Sequence, residues 1–196
     1  MSQHERKDEL QGSVIKSAEL GVLDVTDDYL SAINTFTLTP LTVEEVFVFK
    51  IMAVDNQVDR MYTRFPADEI RRMAELFVGK TLIKDHYRSA DNQVGRIFKT
   101  EVIEGDALGE DTDEKLTSLV VYAYVLDTDR NKNLIKDIKG GIKKEVSINV
   151  GVEVVQCSIC GVNKIEEYCQ HWAGDDYDGT VAEYIYRDVS DAFELS

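Results

Sequence analysis

Apolar runs typical of β-strands recur along this chain, and they are the feature that most restricts its fold. Val46–Ala53 is almost continuously apolar, and Leu116–Leu126 is rich in β-branched residues and tyrosine. Further runs follow at Val94–Val102, Glu145–Val155 and Thr180–Asp188. Runs of this kind between polar turns predict β-strands.

The run at Glu145–Val155 alternates in character from residue to residue. One face of the run is apolar and consists of Val146, Ile148 and Val150. The other face consists of Ser147, Asn149 and Gly151. Side chains of a strand point to opposite faces in turn, so one face of this strand is predicted to lie on the core.

Two segments carry helix signals. Pro66–Gly79 has proline in its first turn, acidic residues next to it and a closing glycine. Its apolar residues recur at helical spacing, at Ile70, Met73, Ala74 and Phe77. A shorter helix is predicted over Arg130–Ile138, ended by Gly140 and the glycine after it.

Together, the predicted strands and helices indicate a mainly β chain with peripheral helices (α+β). We expect a closed or nearly closed barrel of about seven strands. Residues 1–36 are polar and acidic with weak periodicity, and are predicted to be a flexible acidic arm. Residues 37–196 would then form the β-barrel domain, with the acidic stretch 105–115 as a solvated loop rather than a calcium site.

Composition and charge exclude some classes of function. A hydrophobic fraction of 43% suits an ordinary globular chain. The formal net charge of −15 would repel phosphate backbones, so no nucleic-acid partner is expected. No apolar stretch reaches the length of a membrane span, and the first residues lack the apolar core of a signal peptide. We therefore expect a soluble intracellular protein with no membrane partner.

All three cysteines fall within one short segment, together with a histidine. Cys157 and Cys160 form a C-x-x-C-G turn, and Cys169 and His171 follow after eight intervening residues. Three thiolates and one imidazole make up a closed structural zinc site, predicted here as a zinc knuckle inserted over residues 156–179. The alternatives are buried free thiols, or one disulfide with a thiol left over. A catalytic metal is not expected, because four protein ligands leave no position for water.

His86 and Ser147 lie at the edges of two predicted strands, and the chain has only three histidines. A serine and a histidine brought together by a β fold are the minimum for nucleophilic acyl chemistry. The last segment, Asp188–Ser196, offers carboxylates that could orient the histidine. If these three segments meet, the protein is a serine protease.

Four pieces of the sequence occur in the order and spacing of a known family. They are Gly79–His86, the Val-Gly-Arg that ends at Arg96, Lys144–Ser147 and Val189–Ser196. Over residues 46–196 the chain resembles the prohead proteases of tailed phages, which are capsid maturation proteases related to herpesvirus assemblin. It is most similar to the branch that carries a cysteine-rich insert after the serine strand.

The resemblance implies an assemblin-like barrel and a role for each matched residue. Ser147 would be the nucleophile and His86 the general base. Glu194 is the favoured third member, with Asp191, His171 or no third member as alternatives. Arg96 is a candidate substrate contact. The family's last strand continues beyond Glu-Leu-Ser, so we expect this chain to be a truncated form of a longer protein or a product of self-cleavage.

The implied function is that of a serine endopeptidase in viral prohead maturation. Its substrates would be scaffold and major capsid protein, and the enzyme itself, in the host cytoplasm and inside the prohead. A homodimer is expected from the resemblance alone. The alternative is a non-catalytic, zinc-stabilised scaffolding or binding module of a phage capsid.

Overall fold

A computed structural model of the chain describes residues 14–17, 20–108 and 113–196. The structure is mainly β with three α-helices in this part of the chain. None of these helices is both long enough and apolar enough to cross a lipid bilayer. The centre of the predicted acidic loop, residues 109–112, lies outside the described residues, as do residues 1–13.

The strands differ greatly in length. The short ones are β1 (Val14–Ser17), β2 (Leu20–Leu23), β4 (Thr63–Arg64), β5 (Thr81–Ile83), β9 (Asp176–Tyr177) and β10 (Thr180–Val181). The long ones are β3 (Val46–Asp55), β6 (Gln93–Ala107), β7 (Lys115–Leu126), β8 (Glu145–Cys157) and β11 (Tyr184–Leu195). The helices are α1 (Asp27–Asn34), α2 (Ala67–Phe77) and α3 (Lys132–Lys139), and short 3-10 turns occur at Val43–Glu45 and Ala90–Asn92.

One nine-stranded sheet organises the molecule, in the order β1-β8-β11-β5-β6-β7-β3-β2. The remaining strand, β4, pairs with the far end of β11. Pairing is antiparallel except where β11 runs parallel to β4 and β5. The start of β8, the end of β11 and the end of β5 therefore meet at one end of the sheet.

The predicted barrel is not what the sheet forms. A closed barrel requires the first and last strands of the path to pair, and among the described residues β1 and β2 pair only with β8 and β3 respectively. These two short strands occupy the outer edges of β8 and β3, so the sheet ends at both sides. The sequence predicted the long strands but carried no signal for which edges meet.

Two apolar cores lie on opposite faces of the sheet. Phe47, Phe49 and Ile51 of β3 belong to the larger core, whereas Val46 and Val48 belong to the smaller one. The predicted alternation of β8 is confirmed, because its apolar set packs in or against the larger core: Ile148, Val150 and Val146. The sheet is thus covered on both faces.

Helix α2 confirms the sequence prediction residue by residue. All four of its predicted apolar positions are buried in the larger core: Ile70, Met73, Ala74 and Phe77. Its Glu69 carboxylate accepts the backbone N–H groups of Asp188 and Val189 at 2.7 and 3.0 Å. This contact supports β11 where Asp188 has φ +54°. The predicted strand Thr180–Asp188 is divided: its first residues form β10, and its last residues belong to β11, which continues to Leu195.

The first described residues take part in the sheet and its cover. Residues 20–34, placed in an arm by the sequence analysis, form β2 and α1. Thr26 caps α1 by accepting the N–H of Tyr29, and Ile33 is fully buried in the smaller core. Residue 36 is therefore not the boundary of the folded unit, because the folded residues before it bury apolar side chains on the sheet.

Candidate active site and metal centre

His86 follows the end of β5 in a strained loop. Both Asp85 and His86 have left-handed backbones, with φ of +56° and +52°. Residues with a Cβ rarely adopt this region, and residues held in it cluster at functional sites. Asn92 supports the loop, since its side-chain amide donates to the carbonyls of Lys84 and Tyr87 at 2.8 and 3.0 Å.

The imidazole of His86 contacts the carboxylate of Glu194. The distance from His86 Nδ1 to Glu194 Oε1 is 2.7 Å. The side chain of Glu194 is 2% exposed, whereas that of His86 is 35% exposed. A buried carboxylate is costly unless it is paired, and His86 is the partner that the structure gives it. The second carboxylate oxygen is buried without a hydrogen-bond partner among the described residues.

This contact determines the chemistry available to the ring. A carboxylate can only accept a hydrogen bond, so Nδ1 of a neutral imidazole paired with it carries the proton. Nε2 of that tautomer carries the lone pair. A histidine in this state can remove a proton from a hydroxyl group.

Ser147 lies on β8, next to the strand that carries Glu194. The sheet register pairs Glu194 with Asn149 of β8 and with Thr81 of β5. Ser147 is two residues before Asn149, so its side chain points to the same face as that of Glu194. The residue as a whole is 7% exposed, because its backbone lies between β1 and β11.

Ser196 contacts both Ser147 and His86, and no sequence pattern predicted a role for it. Its backbone exchanges two hydrogen bonds with Ser147, both of 2.8 Å. Its side-chain oxygen accepts the backbone N–H of His86 at 3.0 Å. The structure thus links Ser147, Ser196, His86 and Glu194 at one end of the sheet, here called the strand-end site. The available signal was the serine that ends the Glu-Leu-Ser piece.

The other candidates for the third member contact different partners. Asp191 pairs with the ammonium group of Lys80 at 2.8 Å. A hydrogen bond from Lys80 holds the pKa of the Asp191 carboxyl below its ordinary value. His171 lies with the cysteines, as described below. Glu194 is therefore the carboxylate that meets His86.

Arg96 and an apolar pocket lie near the strand-end site. Arg96 pairs with Thr81 in the sheet, and its guanidinium donates to the Gly79 carbonyl at 2.6 Å. No contact of Arg96 with His86 or Glu194 is found among the described residues. A pocket of about 290 Å³ is lined mainly by apolar residues, with Asp85 and Ser196 also in its lining.

The three cysteines and His171 form a tight cluster. Their four potential ligand atoms lie within 4.8 Å of one another. Cys157 Sγ lies 3.6 Å from His171 Nδ1, close to the separation of about 3.6 Å that follows from tetrahedral bonds of about 2.1–2.3 Å. All three cysteines are free thiols, so the disulfide alternative is not what the structure shows. The cluster is able to bind a metal ion.

Local backbone geometry builds the cluster. Cys157 ends β8, and the following turn returns through Gly161, which has φ +75°. Hydrogen bonds of 2.9 Å join the Gly161 N–H to the Cys157 carbonyl and the Cys157 N–H to the Val162 carbonyl. This narrow turn brings the thiols of Cys157 and Cys160 to the same side of the turn, where both belong to the cluster. The glycine is needed because a left-handed residue follows the second cysteine.

Contacts outside the ligand set support the second half of the cluster. The Tyr177 ring packs edge-on against the His171 ring at 4.6 Å between centroids. Lys164 donates to Cys169 Sγ at 3.2 Å and to the His171 carbonyl at 2.9 Å. Burial raises the pKa of the Cys169 thiol, but hydrogen bonds from the His171 backbone, Lys164 and the other cysteines lower it more. Its pKa therefore lies below the ordinary value, which favours the thiolate that metals bind.

Comparison with known proteins identifies no relative of this chain. No family model, no curated protein and no solved structure matches it.

Proposed function

We propose that the protein is a serine endopeptidase in which Ser147 is the nucleophile, His86 the general base and Glu194 the residue that orients the base. The contact of 2.7 Å between His86 and the buried Glu194 carries this proposal. The shared face of Ser147 and Glu194 on neighbouring strands supports it. The left-handed backbone of His86 supports it as well, because strain of this kind is retained at functional sites.

In the proposed reaction, His86 Nε2 takes the hydroxyl proton of Ser147 as the oxygen attacks the scissile carbonyl. Glu194 stabilises the imidazolium that forms and keeps Nδ1 protonated. The imidazolium then gives its proton to the leaving amine, and the C–N bond breaks to leave an acyl-enzyme on Ser147. Water, deprotonated by the same histidine, hydrolyses the ester and restores the hydroxyl group.

The cysteine cluster has a structural role in this proposal. We propose that it holds Zn²⁺ through Cys157, Cys160, Cys169 and His171. A site with four protein ligands has no open position for a substrate. Such an ion would join the end of β8 to the segment before β11, which are the two strands that carry Ser147 and Glu194. The metal would thus stabilise the protease domain without entering the reaction.

The biological setting rests on the resemblance to phage prohead proteases. We propose that the enzyme cuts scaffold and major capsid protein, and itself, during prohead maturation. Its location would be the host cytoplasm and the interior of the prohead, and a homodimer is proposed on the same ground. The net charge of −15 supports the absence of a nucleic-acid partner.

A fluorophosphonate probe tests the chemistry directly. We expect it to label Ser147, and expect Ser147→Ala and His86→Ala to abolish labelling. The Ser190→Ala variant is the matched control, because Ser190 is an exposed serine on β11, the strand that carries Glu194. Intact-mass analysis after labelling measures the outcome. Labelling that persists in Ser147→Ala, or is absent from the wild-type protein, would exclude the proposed nucleophile.

The alternative function is a non-catalytic, metal-stabilised scaffolding or binding module. The low exposure of Ser147, at 7%, favours this alternative over a fully open active site. The same experiment separates the two functions. A protein that holds one equivalent of zinc but shows no labelling at Ser147 and no peptide hydrolysis would be the module.

A further inference from the structure

Ser196 contacts both the proposed nucleophile and the proposed base. Its backbone N–H and carbonyl pair with the carbonyl and N–H of Ser147, each at 2.8 Å. Its hydroxyl oxygen accepts the N–H of His86 at 3.0 Å. Backbone pairing uses no side-chain atom, so the hydroxyl group is the part of Ser196 whose role can be tested separately.

The conformation of His86 requires such a contact. Asp85 and His86 both have positive φ, which is unfavourable for residues with a Cβ and persists only where neighbours hold it. Asn92 holds the carbonyls of Lys84 and Tyr87, on either side of the strained pair. The Ser196 hydroxyl group holds the N–H of the histidine itself.

We infer that Ser196 is a positioning residue, which rests on the proposed function. Its hydroxyl group fixes the backbone of His86 so that the ring reaches Glu194 and faces the strand of Ser147. Ser196 touches no reacting atom in this scheme. Because it lies opposite Ser147 in the sheet, it sets the position of the base relative to the nucleophile.

The direct test compares Ser196→Ala, Ser196→Thr and the control Ser190→Ala. Alanine removes the acceptor, whereas threonine keeps it. We expect Ser196→Ala to lower the rate of Ser147 labelling by about 10- to 100-fold, as for a misplacement on the order of 1 Å in an active site. Ser196→Thr should recover most of the rate, and Ser190→Ala should match the wild-type protein.

A spectroscopic measurement separates positioning from general loss of structure. The proton on His86 Nδ1, hydrogen-bonded to Glu194, should give a far-downfield resonance in the NMR spectrum of the wild-type protein. We expect Ser196→Ala to lose this resonance while its midpoint of thermal unfolding stays near that of Ser190→Ala. Ser196→Thr should keep the resonance.

Three results would overturn the inference. One is a wild-type labelling rate in Ser196→Ala, and another is an unchanged Nδ1–H resonance in that variant. The third is failure of threonine to rescue, because the hydroxyl group would then not be the acting part. If the wild-type protein is not labelled at all, the proposed function fails. Loss of the resonance in Ser196→Ala would then still support a positioning role.

Discussion

The strand-end site and the cysteine cluster are assembled in opposite ways. His86 and Glu194 are 108 positions apart in the chain, and their contact depends on β5 and β11 being neighbours in the sheet. Cys157 and His171 are 14 positions apart, and one turn with a left-handed glycine brings the first two thiols together. The first arrangement requires the whole sheet, whereas the second requires one local segment.

Because of this difference, we expect substitutions and metal removal to affect the two regions differently. In the proposed mechanism the residues of the strand-end site act as a unit, so a change that leaves the fold intact should still abolish catalysis. If the cysteine cluster binds a metal ion, as proposed, loss of that ion should unfold the cluster's segment before it affects the sheet.

The largest effect is expected from Glu194→Gln. The amide can turn an N–H toward His86 Nδ1, which favours the wrong tautomer of the base. We expect the rate of Ser147 labelling and of peptide hydrolysis to fall by about 10³- to 10⁴-fold. Asp191→Asn is the matched control and should keep the wild-type rate, because Asp191 contacts Lys80. Equal losses in the two variants would contradict the assignment of Glu194.

Metal removal should affect the other region. We expect purified protein to hold about one equivalent of zinc, and Cys157→Ser or strong chelation to remove it. Hydrogen exchange should then accelerate over residues 157–183, with a local loss on the order of several kcal/mol, since structural zinc contributes folding free energy. The Nδ1–H resonance of His86 should remain. Parallel loss of that resonance would show that the two regions are not separable.

Lys164→Met should weaken the metal centre without abolishing it. Lys164 donates to Cys169 Sγ and to the His171 carbonyl. Three thiolates carry one more negative charge than a divalent metal ion neutralises, and Lys164→Met would remove a nearby positive charge that offsets it. Partners of this kind affect metal affinity by about 10- to 100-fold. Competition with a chromophoric chelator measures the affinity. Lys132→Met is the control, because Lys132 is exposed and pairs with Asp129, away from the cysteines. An affinity equal to that of the control would contradict the prediction.

The smallest effect is expected from Lys80→Met. Lys80 lowers the pKa of Asp191 in the folded protein. Their pair therefore stabilises the fold at any pH above the pKa of an unfolded aspartate, which is about 3.9. This contribution is lost as the pH falls through the lowered pKa of Asp191 in the folded protein. For a partly exposed pair we expect a loss of less than about 1 kcal/mol at neutral pH. Urea unfolding at neutral pH and in strong acid measures it, and a loss of equal size at both would count against this origin.

Prediction from the sequence succeeded where the signal was local. The helical spacing of Ile70 and Phe77 and the alternation around Ile148 describe how each segment meets the core, and both agree with the structure. The cysteine spacing found the cluster because its backbone turn is short. The prediction of a closed barrel was wrong, because residue patterns do not encode whether the two edge strands, β1 and β2, pair with each other.

Residues of the strand-end site show the same limit. Ser147 and His86 were selected by residue type and by the family resemblance, whereas the sequence left Glu194, Asp191 and His171 open as the third member. In the structure Asp191 contacts Lys80 and His171 lies with the cysteines. Glu194 is the one of the three that contacts His86. The hydrogen bond between the Ser196 hydroxyl group and the His86 N–H could not be predicted from the sequence. It depends on the left-handed backbone of Asp85 and His86, which no local sequence pattern predicts.

The sequence by itself determined the strand-rich composition, the core-facing side of each amphipathic element and the ligand set of the cluster. These depend on hydrophobic periodicity and on short-range turns, which the order of residues encodes directly. Only the tertiary structure decided that the sheet stays open and that the buried carboxylate of Glu194 meets His86. Those contacts depend on which distant strands become neighbours, and that choice is made by packing over the whole chain.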